Sequence, residues 1–270
     1  MFRCLARHAS NKANLFQTAL YQFSIDHGAE MTSFSGFSIP KQFKEGAEKE
    51  HLQCRSNCVL FDKSYMGQFI ISGTDREEFF RNLAPLSFSY RPDNSIQHTI
   101  LTNEEGGIDD DCFICSRIDN TLHVVVNGMN LEKDQNLFNE QLELFKMYEK
   151  NVDVKHLKNH SILSIQGPKS SEILNKICHK SITKLPYMAS TTDKIDGADV
   201  WISRSGLTGE DGFDLSIEDP SKAVQIANIL TSEYGVHPAG LLAANSLRIE
   251  AGIPLYGHEL TETTTPVEAR

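Results

Sequence analysis

Three observations predict an α+β fold. Short apolar runs parted by turn residues recur between 95 and 126, the mark of an antiparallel meander. Helical periodicity recurs over 131–149, 221–234 and 239–251. Strand–helix–strand crossovers, which would build a parallel sheet, are few.

The elements follow in order. Residues 46–57 carry charges at helical spacing, and Val59-Leu60-Phe61-Asp62 reads as a buried segment. A strand is expected over 68–72. Thr74 with Glu77 three residues on reads as a capping box, opening a helix to about 83. Strands over 96–101, 112–118 and 122–126 are separated by turn signals at Gly106-Gly107 and Asp119-Asn120. The helix over 131–149 sets Leu137, Phe138, Leu142 and Phe145 on one side. A strand over 159–166 precedes Pro168, which suits the first turn of the next helix. Strands over 200–203 and 213–217 flank the glycine-rich stretch Gly206 to Gly212. The last two helices are stopped by Gly235 and Gly252.

The totals exclude several function classes. The 270 residues are 40% hydrophobic and 23% charged, ordinary for a globular protein. The net charge, 26 − 36 = −10, disfavours a nucleic-acid partner, which would want a basic face. No apolar run approaches the roughly 20 residues of a membrane span. Residues 1–25 hold Arg3, Arg7 and Lys12 with no acidic residue, the composition of a mitochondrial transit peptide, here assigned to 1–20. Six cysteines in a chain this long read as reduced structural thiols. On a strand Cys112 and Cys115 point to opposite faces, and Cys54 and Cys58 could share a helical face but lack a second pair. With no H-E-x-x-H among ten histidines, no metal site is expected.

The most informative stretch is Thr102 to Asp111, T-N-E-E-G-G-I-D-D-D. A turn at Gly106-Gly107 delivers three carboxylates to the start of a return strand. Alternation sets Ile108, Asp110, Cys112 and Ile114 on one face. Asp110 thus shares an apolar face, where a carboxylate is costly without a partner or a job. Asp109 and Asp111 are expected to be solvated and to line the turn.

Further segments fall into an ordered series: Gly28 to Pro40, Leu60 to Gly67, Val125 to Asp134, Ile165 to Pro168, Ser205 to Gly212, Ser246 to Gly257 and Thr264 to Glu268. In order and spacing, from roughly Leu20 onward, the chain closely resembles the glycine cleavage system T-proteins, the aminomethyltransferases. That resemblance implies a T-protein-like folate-binding fold with antiparallel sheets and flanking helices. It implies a first domain over 21–58 and 150–262, an inserted second domain over 59–149, and a connection over 263–270 to a C-terminal β-barrel that this chain lacks. It implies transfer of a methylene from the aminomethyl-lipoyl arm of the H-protein to tetrahydrofolate, a co-substrate, with release of ammonia in the mitochondrial matrix. It assigns Asp110 as the catalytic carboxylate, three residues after the Gly-Gly pair, and Met66, Asn127, Asp214 and Arg248 as substrate-binding residues. Glu210 reads as fixing its loop.

Four positions depart from the family pattern. Ala244 replaces an arginine, Tyr65 a histidine, Leu207 a tyrosine and Asp109 an apolar residue. The lost arginine and missing barrel favour an alternative, a catalytically weak or inactive folate-fold protein that binds a partner. A folate domain of the sarcosine-dehydrogenase type is opposed by the absence of G-x-G-x-x-G.

Overall fold

A computed structural model describes residues 15–89 and 91–269. Of the leader expected over 1–20, residues 1–14 lie outside the described residues. Residues 15–20 fold with the body, since Phe16–Gln17 form a strand and Leu20 is buried in a core, so the expected end at residue 20 is too late.

The chain opens with β1 (Phe16–Gln17), α1 (Tyr21–Asp26), β2 (Glu30–Phe34), β3 (Phe37–Gln42) and α2 (Ala47–Ser56). Next come β4 (Val59–Asp62), β5 (Gly67–Ser72), α3 (Arg76–Arg81), β6 (Ser95–Thr102), β7 (Ile108–Ser116), β8 (Leu122–Val126) and α4 (Leu131–Met147). After these follow β9 (Asp153–His156), β10 (Ser161–Gln166), α5 (Ser170–Ile177), β11 (Ala189–Ile195), β12 (Ala198–Arg204) and β13 (Gly212–Ile217). The chain ends through α6 (Pro220–Ser232), β14 (His237–Pro238), α7 (Leu241–Glu250) and α8 (Pro266–Ala269).

Eleven strands form one sheet in the order β14-β4-β10-β13-β12-β11-β6-β7-β8-β5-β9, antiparallel except for β14 on β4. The α+β class is as predicted. The sheet has two halves joined at one residue pair, Ala189 with Ser95. Each half has its own core. One gathers Leu60, Leu163, Ile165, Phe213 and Leu215 under Ile226 and Leu230 of α6. The other gathers Phe69, Phe79, Phe80, Ile114 and Val124 under Phe138 and Phe145 of α4. Burying a large apolar side chain contributes about 1.5–3 kcal/mol, so each half has its own driving force.

Several expectations need correction. The capping box does not form: α3 starts after Asp75, which makes no cap bond, and the Thr74 hydroxyl donates to the Asp75 carboxylate instead. Asp75 is held by the backbone N–H of Asn151, a tertiary partner that outcompetes the local cap. Cys58 lies beyond the end of α2, and it and Cys54 enter different cores. The stretch 28–40 is a hairpin, β2 with β3 around Ser35-Gly36. Finally β4, placed by sequence in the inserted unit, pairs with β10 in the other half.

Candidate functional site

The turn between β6 and β7 explains both glycines. Gly106 takes φ +82°, which L side chains rarely adopt. A Cβ on Gly107 would run into the Glu262 carbonyl. The turn therefore docks against the C-terminal segment, where Asn103 Nδ2 also donates to Glu262 O at 3.1 Å.

Along β7 the expected alternation holds for Ile108, Asp110, Cys112 and Ile114, none more than 1% exposed. Asp110 accepts the Asn127 backbone N–H at 3.0 Å, Asn127 Nδ2 at 2.8 Å and Asn130 Nδ2 at 2.8 Å. Both asparagines come from the β8–α4 connection, which β7–β8 pairing brings alongside. Burial pushes the Asp110 carboxyl up, as does the Asp111 charge, while the bonds from Asp134, Asn127 and Asn130 pull it down.

Asp111 corrects the expectation of a solvated residue. It is 5% exposed, accepts from Asn127 Nδ2 at 2.8 Å, and faces His98 Nε2 at 2.8 Å. No residue of β7 is exposed on either face of the strand, so alternation alone cannot expose Asp111. Asp109 is the more open of the three, with its carboxylate 3.6 Å from Lys133 Nζ.

Beside this network lies a cleft of two lobes, about 540 and 990 Å³ with their solvent mouths, within the range of small-molecule sites. The lobes share Lys63, Met66 and Leu207. Asp214 lines the smaller one, where both its oxygens lie 3.2 and 3.3 Å from Lys63 Nζ. Asn127 and Arg248 line the larger. Four of the five predicted residues thus meet at the cleft. Asp110 lines neither lobe; it sits fully buried behind Asn127.

Arg248 is 4% exposed and held by Asn245 Oδ1 at 2.8 Å, Glu259 Oε2 at 2.6 Å and the Ile253 carbonyl at 3.2 Å. Its Nη2 is buried with no partner among the described residues. A buried guanidinium donor without an acceptor is costly, and a carboxylate in the larger lobe would satisfy it. Three of the four departures, Tyr65, Leu207 and Ala244, also line this lobe. With an arginine position occupied by Ala244, Lys63, Arg248 and His258 remain its basic residues.

The glycine-rich stretch is set by packing. Cβ atoms on Gly206 and Gly212 would overlap the Gln166 amide, which accepts from Thr208 Oγ1 at 3.0 Å and donates to Ser205 O at 3.1 Å. Glu210 faces outward to Arg55, 3.2 Å away, which also donates to Thr208 O. It braces the loop as expected and lines neither lobe. Lys63, Asn130 and Asp134 lie inside the segments Leu60 to Gly67 and Val125 to Asp134 but have no role assigned from sequence, because none shows its partner locally.

Comparisons with known proteins agree. The family model described as the GCVT N-terminal domain matches residues 20–270. The mitochondrial aminomethyltransferase of Dictyostelium discoideum is 40% identical over 273 residues, covering 97% of this chain and 67% of that protein. The aminomethyltransferase of Caldanaerobacter subterraneus subsp. tengcongensis is 37% identical, covering 95% of this chain and 68% of that protein. The crystal structure of the glycine cleavage system aminomethyltransferase T from Bartonella henselae superposes with a TM-score of 0.85 at 29% identity, over 94% of this chain and 67% of that one. The chain belongs to this family, the glycine cleavage aminomethyltransferases.

Proposed function

We propose that the cleft binds tetrahydrofolate and that the chain takes part in moving a methylene onto it from an aminomethylated H-protein, releasing ammonia. The unpartnered Arg248 guanidinium donor at the cleft wall carries this reading, because a folate tail ends in carboxylates. Asp214 and Lys63 offer an acceptor pair and a donor to a flat polar ring in the smaller lobe. Met66, at the junction of the lobes, packs against the body of the ligand.

Asp110 supplies the negative charge. One folate nitrogen bonds to the methylene carbon as the amine leaves as ammonia. A second folate nitrogen bonds to it as the carbon–sulfur bond to the lipoyl arm breaks, the two folate N–H protons passing to the ammonia and the lipoyl thiol. Positive charge grows at that carbon as each leaving group departs. A fixed carboxylate nearby stabilises it and accepts a proton. The Asn127 amide stands between Asp110 and the cleft, so substrate must displace it before Asp110 reaches the carbon. Asn127 Nδ2 has two hydrogens and three acceptors, Asp110 Oδ1, Asp111 O and Asp111 Oδ1, so one of its contacts is spare. No metal takes part in this scheme.

The deciding experiment measures ammonia release from aminomethylated, lipoylated H-protein with and without tetrahydrofolate. Folate-dependent release supports the reading. Folate binding without release would favour the partner-binding alternative, and no binding at all would sink both.

We also propose import into mitochondria with leader removal before Leu15. Thr18 Oγ1 donates to Asp62 Oδ2 at 2.5 Å and Leu20 is 1% exposed, so both belong to the folded body. Mass spectrometry of protein recovered from cells should find a first residue later than Met1 and no later than Leu15. An intact Met1 argues against processing.

A further inference from the structure

We propose that Asp110 and Asp134 share a single proton at neutral pH, with Asp134 the protonated member donating its O–H to the Asp110 carboxylate, so that Asp134 positions the charge that Asp110 brings to the cleft. The proposal rests on the reading of Asp110 as the site carboxylate, but its core can be tested without turnover.

Asp134 stands in the first turn of α4 and is 0% exposed. Neither of its oxygens receives a hydrogen bond from any donor among the described residues. Asn130 brings the two carboxyls together: its carbonyl accepts the Asp134 backbone N–H at 2.8 Å while its Nδ2 donates to Asp110 Oδ1 at 2.8 Å, so the fully buried Asp134 carboxyl lies beside that of Asp110. Two ionised carboxylates in contact inside an apolar setting repel each other without compensation, so one holds a proton. The donors decide which. Asp110 accepts three N–H bonds, an arrangement that suits a carboxylate. Asp134 accepts none, so it is the acid.

Of the other charges nearby, only Lys133 pulls the Asp134 carboxyl down, and it does not outweigh burial and the Asp110 charge. Asp109 and Asp111 on β7 add negative charge, and His98 on β6 faces Asp111. The Cys112 thiol is pushed well up by burial and these carboxylates, so it stays neutral. Lys133 on α4 is directed away, to Glu262 at 3.0 Å, the Tyr256 hydroxyl at 3.0 Å and Asp109 at 3.6 Å. Burial, then the Asp110 charge, push the Asp134 carboxyl up to about 10.

The sign of the pH effect follows. Asp134 holds its proton in the folded state and has lost it in the unfolded state above about pH 3.9. Its contribution to stability is therefore full below that value and is lost as pH rises toward about 10. The unfolding equilibria of the wild-type protein and Asp134→Asn are measured from pH 5 to 8. Asparagine keeps an N–H donor toward Asp110 and has no proton to lose. The wild-type folding constant should fall about tenfold per pH unit relative to the variant. Parallel pH profiles would overturn the shared proton.

Positioning is tested by turnover. Asp134→Asn should keep kcat within about threefold, because a donor remains. Asp134→Leu should lose roughly tenfold or more in kcat with little change in KM for tetrahydrofolate, since a general acid–base contribution of about 10²–10⁴ depends on the aim of the carboxylate. Equal kcat in both variants, with a wild type that turns over, would overturn the positioning role. If the wild type shows no turnover, the reading of Asp110 fails, while the pH profiles still decide the shared proton.

Discussion

Asp110 and Asp214 are both strand carboxylates, one in each half of the sheet, and their surroundings are opposite. Asp110 on β7 is fully buried among amides and a second carboxyl, with no cation in contact. Asp214 on β13 has a side chain 22% exposed and a lysine across it at 3.2 Å. The difference teaches what each can do. A carboxylate paired with an ammonium at a cleft wall has its charge balanced and is suited to hydrogen-bonding a ligand. A carboxylate held by neutral donors, with no cation in contact, keeps an unbalanced charge, which is what a developing cation needs. The contrast starts in the partner segments: Asp110 faces an asparagine-rich loop, and Asp214 faces Lys63 next to β4.

The largest effect expected from this contrast is on Asp110 itself. Asp110→Asn should cut kcat about 10²–10⁴-fold while circular dichroism and folate binding stay close to wild type. Near-normal turnover would mean that the burial of Asp110 is structural and the contrast misleads. Next comes Arg248→Ala. Loss of a charge-assisted donor costs about 1.5–3 kcal/mol, so affinity for tetrahydrofolate in a calorimetric titration should drop roughly 10- to 150-fold. Arg248→Lys should recover little, since an ammonium cannot hold Asn245 and Glu259 and also reach the cleft. An unchanged affinity would remove the folate tail from the larger lobe.

Smaller effects sharpen the assignment within the acidic run. Asp111→Ala strips an acceptor from Asn127 and from His98, two contacts at 2.8 Å. It should lower stability by about 1–3 kcal/mol in denaturant titration, with a secondary loss of activity. The least change is expected from Asp109→Ala, which loses a partly exposed contact with Lys133, worth about 0–1 kcal/mol. If Asp109→Ala cripples turnover and Asp110→Asn does not, the register of the active carboxylate is off by one.

Much of the fold was legible. The meander over β6, β7 and β8, the helices α4, α6 and α7, and the pairing of β12 with β13 all follow from period, turn residues and glycine stops. One missed element left a clear trace: Asp196-Gly197, with φ of 49° and 74°, is the two-residue turn joining β11 to β12. The capping box at Thr74 was the opposite case, a good local signal overruled by Asn151, 76 residues from Asp75.

By itself the sequence determined the hairpin turn at Gly106, the inward parity of Asp110 and the family to which the chain belongs. These are local properties, written in the two-residue period of a strand, the conformational freedom of glycine and the order of motifs. Tertiary structure alone decided the rest. It buried Asp111, set Asn127 between Asp110 and the cleft, left Arg248 Nη2 without a partner among the described residues and brought Asp134 of α4 against Asp110. Asn127 stands 17 residues from Asp110 in the chain, so such partners meet only once distant segments pack, and that packing decides how much water and which donors remain beside a charge. Periodicity shows which way a side chain points, but burial and partners set its ionisation, and those exist only after the chain has folded.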